Sequence, residues 1–222
     1  MLMARERRDF NRISGIRDPS LIVIATEGEK TERQYFEGLQ NKCEEAASRI
    51  KFKILDPSER GAGKSAAKYV LGQLDQYKKE FNLKPYDELC MVIDRDKQSL
   101  KEPELSKIAK QCDQKKYLLA LSNPAFELWL ILHLKDLNSY SATEKVKLLE
   151  NKDKYLKKEL KQLLLGFNPS KLNFDDFWGY IHLAIERAEA LDTLPQDRWP
   201  NELGSRVYVL MKKIMLTIET AD

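Results

Sequence analysis

Leu21-Ile22-Val23-Ile24-Ala25 is an unbroken apolar run, closed by Thr26-Glu27-Gly28 and followed by a long helical pattern. A strand without polar alternation has no face to give to water and must be covered on both sides. That is the position of a central strand in a parallel α/β sheet. Glu88-Leu89-Cys90-Met91-Val92-Ile93-Asp94 has the same character. Both runs lead into carboxylates: Glu27, Glu29 and Glu32 after the first, Asp94 and Asp96 after the second. Open α/β sheets place ligands outside the carboxyl ends of their strands. Carboxylates gathered there repel one another unless a cation or a proton intervenes.

The rest of the first half alternates. Helical spacing over 32–49 puts Tyr35, Phe36 and Leu39 on one face, and Lys51-Phe52-Lys53-Ile54-Leu55 alternates as a short strand stopped by Asp56-Pro57. Residues 58–63 read as a loop and 64–81 as a helix carrying Tyr69, Val70 and Leu74. A further helix opens at Pro103, and Tyr117-Leu118-Leu119-Ala120-Leu121-Ser122 is a fourth strand. Strand and helix in alternation imply right-handed crossovers. The expected core, over 18–135, is a Rossmannoid α/β fold with a mainly parallel four-stranded sheet and helices on both faces. Beyond Pro124 only helical patterns follow, at 124–134, 141–150, 152–165, 173–192 and 203–219. They predict an α-helical C-terminal region, 136–222, packed on that core. Asn123 is placed to cap the 124–134 helix, with Pro124 at its first position and Glu127 one turn in. That helix is apolar nearly all round and must be buried.

Composition narrows the function classes. The chain has 222 residues, 33% of them charged, with a net charge of +3, so bulk charge alone does not announce a nucleic-acid binder. Its distribution says more: Arg5, Arg7, Arg8, Arg12 and Arg17 make residues 1–17 a basic arm, and eight lysines fall within 141–171. Local excess of this kind can face phosphates. The three cysteines, Cys43, Cys90 and Cys112, have no metal-ligand spacing and read as thiols of a reducing compartment. The basic N-terminus lacks the apolar stretch of a signal peptide, and no run is long enough to cross a membrane. A cytoplasmic protein is expected.

Asp94 and Asp96 are two apart in an extended segment, so both can face one cation. With Glu27 they form a candidate Glu/Asp/Asp centre, and hard oxygen ligands of this kind suit Mg²⁺ or Mn²⁺. Glu127, set among Phe126, Leu128 and Trp129, is costly to bury unless paired or bound to a cation. His133 reads as a hydrogen-bonded core histidine, and His182 carries no signal. Gly61-Ala62-Gly63-Lys64-Ser65 is not a nucleotide-binding P-loop, because Ser58 stands where that motif requires glycine. A glycine loop opening a helix can still hold an anion on its backbone N–H groups, which leaves Lys64 and Ser65 able to meet a substrate phosphate.

A Glu-Gly pair after an apolar strand, with Asp-x-Asp ending a later one, resembles the Toprim pattern of topoisomerases, primases and certain nucleases. The chain resembles RloB-like proteins more closely, a restriction-linked family related to the second component of the AbiL abortive-infection system. Residues 24–32 with Tyr35-Phe36-Glu37-Gly38-Leu39, then Val92-Ile93-Asp94-Arg95-Asp96, then Ser122-Asn123-Pro124-Ala125-Phe126-Glu127-Leu128-Trp129-Leu130-Ile131-Leu132-His133 carry the resemblance. The segment 201–211 is a weaker echo.

The resemblance implies metal-dependent phosphodiester cleavage in bacterial antiphage defence, beside an ATPase partner. Asp94 and Asp96, with Glu32 as a further ligand, would hold the cation. Glu27 would complete the shell or act as general acid/base, Lys30 would stabilise phosphate charge, and Glu127 would join the catalytic set. Arg5, Arg7, Arg8 and Lys64 would bind nucleic acid, DNA or RNA. No tyrosine stands out as a topoisomerase nucleophile, no zinc-binding module supports a primase, and Gln98 departs from a haloacid-dehalogenase pattern. The rival reading is a non-catalytic module that keeps the Toprim fold and binds nucleic acid or a partner.

Overall fold

Each apolar run expected to be a core strand is one, and the alternation that follows is realised with small shifts of boundary. The computed structural model describes residues 19–45, 50–56, 66–97 and 100–219. The basic arm with Arg5, Arg7 and Arg8, and the glycine loop with Lys64, lie outside the described residues. In chain order the first half runs β1 (Ser20–Thr26), α1 (Thr31–Glu45), β2 (Ile50–Ile54), α2 (Ala66–Glu80), β3 (Glu88–Asp94), α3 (Glu102–Lys115) and β4 (Leu118–Asn123). The second half runs α4 (Glu127–Leu134), α5 (Ala142–Glu150), α6 (Tyr155–Leu163), α7 (Asp175–Trp178), α8 (Ile181–Leu191), β5 (Gly204–Ser205) and α9 (Val207–Glu219).

The sheet has five strands in the order β2-β1-β3-β4-β5, the first four parallel and β5 antiparallel to β4. Because side chains alternate across a strand, β1 sends Ile22 and Ile24 to one face and Leu21, Val23 and Ala25 to the other. Apolar residues of α2 and α3 cover the second face. Those of α1, α4 and the C-terminal helices α6, α8 and α9 cover the first. The helices after β4 therefore share one continuous apolar core with α1 and β1, with Leu156, Phe177, Ala184 and Leu210 all fully buried in it. No helix among the described residues is long and apolar enough to cross a membrane.

Four expectations are corrected. The sheet gains a fifth strand where a helix from 203 was expected, since two residues are too few to show any periodicity. Ser205 Oγ meets Ser122 Oγ at 2.7 Å across this pairing. Asn123 does not cap α4: it ends β4, its peptide bond to Pro124 is cis, and its Nδ2 donates to the Pro200 carbonyl at 3.0 Å. α4 consequently opens at Glu127, which stands in the first turn rather than one turn in. The expected 152–165 helix starts only at Tyr155, because Asn151, Asp153 and Lys154 all have left-handed φ, at 46°, 51° and 58°. The 173–192 helix is two pieces, α7 and α8, separated at Gly179-Tyr180.

Aromatic packing joins α1 to α4. Tyr35 is fully buried and lies edge-on to Phe126, Trp129, His133 and Phe174, with ring centroids 4.9 to 6.4 Å apart. Its hydroxyl donates to His133 Nε2 at 3.1 Å, and His133 Nδ1 donates to the Trp129 carbonyl at 2.9 Å. Burial lowers the His133 pKa to about 3, against the smaller opposing effect of that backbone bond, so the ring stays neutral as this bonding requires. Arg187 of α8 donates to the last carbonyls of α4, Leu132 at 2.7 Å and His133 at 3.1 Å, satisfying groups a helix C-terminus leaves open.

Two glycines in helix interiors should respond oppositely to a methyl group. A Cβ at Gly38 in α1 would collide with Cβ and Cγ of buried Phe174, whereas one at Gly72 in α2 meets nothing within 4 Å. In urea denaturation Gly72→Ala is expected to stabilise by about 0.5–1 kcal/mol, the ordinary helix gain. Gly38→Ala is expected to destabilise by about 1–3 kcal/mol, because overpacking outweighs that gain.

Candidate functional site

The order β2-β1-β3 makes the junction of β1 and β3 a topological switch point: the chain leaves β1 towards β2 on one side and returns past it to β3 on the other. Crevices at such points receive ligands because the connections diverge and leave the strand ends open. Glu27 and Asp94 stand at this junction. The register Thr26↔Val92 continues one step further, with Glu27 N–H donating to the Val92 carbonyl at 3.0 Å. Glu27 Oε2 in turn accepts from Asp94 N–H at 3.3 Å.

The two neighbouring helices add a carboxylate each. Glu32 is the second residue of α1, which opens at Thr31. Glu127 is the first residue of α4. Only 8% of Glu32 and 7% of Glu127 remain exposed. Gly28 makes room for this arrangement: the Glu32 carboxylate occupies the space that a Cβ at Gly28 would take. Thr26 Oγ closes the turn by donating to the Gly28 carbonyl at 2.9 Å. The cap that Asn123 does not provide comes from Asp94, whose Oδ1 accepts from Phe126 N–H at 2.8 Å. Asp94 and Glu127 thus share the N-terminal end of α4, where the helix dipole favours negative charge.

Glu27, Glu32, Asp94 and Glu127 are close enough to act on one another electrostatically. Burial, then the negative charges of Glu32, Glu127 and Glu27, hold Asp94 well above the usual carboxylate range despite the Phe126 bond. Burial, with smaller contributions from Glu127 and Glu27, pushes Glu32 up to about 7; a backbone bond and the charge of Lys157 oppose it. Lys157 of α6 reaches Glu127 directly, Nζ to Oε1 at 3.2 Å. Asp96 and Lys30 are exposed on the walls of the same cleft, a space of about 1240 Å³. Its far wall is the turn between α5 and α6, with Lys152 and Lys154.

Of the residues singled out in the sequence, Glu27, Glu32, Asp94 and Glu127 come together, with Asp96 and Lys30 beside them. His133 is a core residue bonded to Tyr35, and exposed His182 lies on α8 away from the cleft. Arg95 turns away from the acids; its side chain is buried and Nη1 donates to the Leu100 carbonyl at 3.1 Å. Lys157 and the 151–154 turn escaped sequence reasoning, which saw only a lysine-rich stretch. As for a cation, the donor set suits one: hard carboxylate oxygens crowded together, two of them on nearly buried side chains. Among the described residues, however, no three Asp, Glu, His or Cys side chains are already gathered around one metal position. A cation would have to draw the carboxylates inward.

The raised Glu32 pKa has a definite consequence. The unfolded chain ionises this group near 4.5 and the folded chain near 7, so the folded state binds the extra proton between these values. This group's contribution to stability is fully present below about 4.5 and is lost as pH rises to 7, by roughly 3 kcal/mol. Asp94 adds a loss of the same sign. Thermal melts in chelator from pH 4.5 to 8 should show this fall, and Glu32→Gln should flatten it.

No curated protein and no solved structure matches the chain. The family model described as RloB-like protein matches residues 22–214, from β1 through most of α9. With the strand-end acids, both faces of the sheet and the C-terminal helices all inside that span, the chain belongs to the RloB-like family.

Proposed function

We propose that this protein is a Mg²⁺- or Mn²⁺-dependent nuclease of Toprim type, hydrolysing phosphodiester bonds of DNA or RNA. The observation that carries this reading is the delivery of Glu27 and Asp94 to one switch point by adjacent parallel strands, with Glu32 and Glu127 within electrostatic reach. Four carboxylates this close, two of them nearly buried, are a poor arrangement unless a cation or a proton joins them.

In this reading Asp94 and Asp96, with Glu27 and Glu32, hold the cation. When bound it supplies charge stabilisation at a phosphate oxygen and at the leaving oxygen. Glu27, at the carboxyl end of β1, is the candidate to move a proton to or from the attacking or departing oxygen. Glu127 is the second candidate, paired with Lys157 while no cation is bound. Lys30, exposed at the mouth, is placed to counter charge on the phosphate. A role in bacterial antiphage defence beside an ATPase partner is part of this proposal; it rests on what the family resemblance implies and on no residue of the cleft.

The second reading, a nucleic-acid or partner-binding module without catalysis, draws support from the absence of a ready-gathered set of donors among the described residues. One experiment separates the two. Calorimetry with Mn²⁺ should show binding to the wild type that is lost in Asp94→Ala/Asp96→Ala, and cleavage of DNA or RNA should need the same residues. A wild type that binds no Mn²⁺, even with oligonucleotide present, would leave the binding-module reading. The basic arm has its own test. Arg7→Glu with Arg8→Glu should weaken nucleic-acid binding and lower its salt slope by about two phosphate contacts' worth.

A further inference from the structure

The acids of the cleft meet a cation that the chain itself supplies. Lys157 comes from α6, in the helical region beyond the sheet, and its Nζ lies 3.2 Å from Glu127 Oε1. Its charge also acts on Glu32. Unlike the carboxylate it neutralises, Lys157 keeps 38% of its side chain exposed. It therefore stands between the buried acids and the open cleft.

The turn leading to it is firmly built. Asn151 Oδ1 accepts from Leu156 N–H at 3.0 Å, and Asn151 N–H donates to the Lys147 carbonyl at 3.0 Å. Three residues hold left-handed φ, which non-glycine residues adopt at some cost. The result brings Lys152 and Lys154 to the cleft that Lys157 enters from the same side. Lys152 pairs with Glu150 at 3.0 Å, and the first turn of α6 itself carries no acidic residue.

We propose that Lys157 is an exchangeable counter-ion. Without a bound cation it neutralises Glu127. A divalent cation among the carboxylates repels the ammonium and takes over its role, and Lys157 then turns, with Lys154, to a backbone phosphate of a nucleic-acid strand lying in the cleft. A lysine suits this exchange, being a compact charge on a flexible stem. Cation and strand then favour each other's binding, because each affinity depends on the state the other selects. The inference rests on the metal-dependent nuclease reading and adds to it a residue that selects for phosphate strands.

The test uses the full chain as wild type, Lys157→Met, Lys157→Arg and, as a charge control on the exposed side of the same helix, Lys158→Met. Mn²⁺ affinity is measured by calorimetry, and binding of a short labelled single-stranded oligonucleotide by initial anisotropy in EDTA and in Mn²⁺. Lys157→Met should bind Mn²⁺ roughly three- to tenfold more tightly and bind the oligonucleotide roughly three- to tenfold more weakly in Mn²⁺, with no change in EDTA. Lys157→Arg, which keeps the charge, should stay near the wild type, as should Lys158→Met. If the wild type binds Mn²⁺ and Lys157→Met matches it, or only matches Lys158→Met, the exchange is overturned while the nuclease reading stands. An oligonucleotide loss equal in EDTA and Mn²⁺ overturns it too. A wild type that binds no Mn²⁺ under either condition removes the nuclease reading and the exchange together.

Discussion

The structure is governed by the crowding of Glu27, Glu32, Asp94 and Glu127 at the carboxyl end of a parallel sheet. Like charges in a poorly solvated site repel one another, and desolvation adds to the penalty for each. Several features oppose that penalty. Asp94 accepts a backbone N–H from the start of α4, Glu27 accepts one from Asp94, and Lys157 pairs with Glu127. At low pH, protons on Asp94 and Glu32 do the rest. A fold that only needed to be stable would place apolar side chains here. Clustered, mutually repelling acids of this kind are commoner at functional sites than in cores, which is the ground of the proposed metal-dependent reading.

Holding acids together against their repulsion requires helices that cannot drift apart. α1 and α4 carry Glu32 and Glu127, and Tyr35 of α1 is tied to Trp129 and His133 of α4 by ring contacts and one hydrogen bond, with His133 held in turn by the Trp129 carbonyl. The neutral imidazole makes this possible, since a charged ring would lose its acceptor and pay for burial. Gly38 lets α1 approach Phe174, and Arg187 closes the far end of α4. The C-terminal helices are thus part of the site's foundation: they provide Phe174, Phe177, Arg187 and, in the cleft itself, Lys157. A family match that continues through residue 214 agrees with that continuity.

Much of the core was legible because its signals are local. β1 and β3 are apolar on both faces, so their runs show them as buried strands, and the acids at their ends follow in the next few residues. The missed features are ones that local pattern cannot encode. β5 is two residues long and exists through its partner strand. Asn123 has the right chemistry for a cap, but its side chain is engaged by the Pro200 carbonyl, and Asp94 caps in its place. The 151–154 turn interrupts a convincing helical pattern with left-handed residues that are not glycine.

By itself, then, the sequence determined the layered α/β class, the central strands, the helices on both faces and the acids that end β1 and β3, since each depends on apolar period or on residues adjacent in the chain. Only the tertiary structure decided that β1 and β3 are neighbours, that Glu32 and Glu127 close on them from two helices, and that Lys157 faces them. These contacts join residues tens of positions apart, and their geometry is set by how helices pack on the sheet, which no local spacing records.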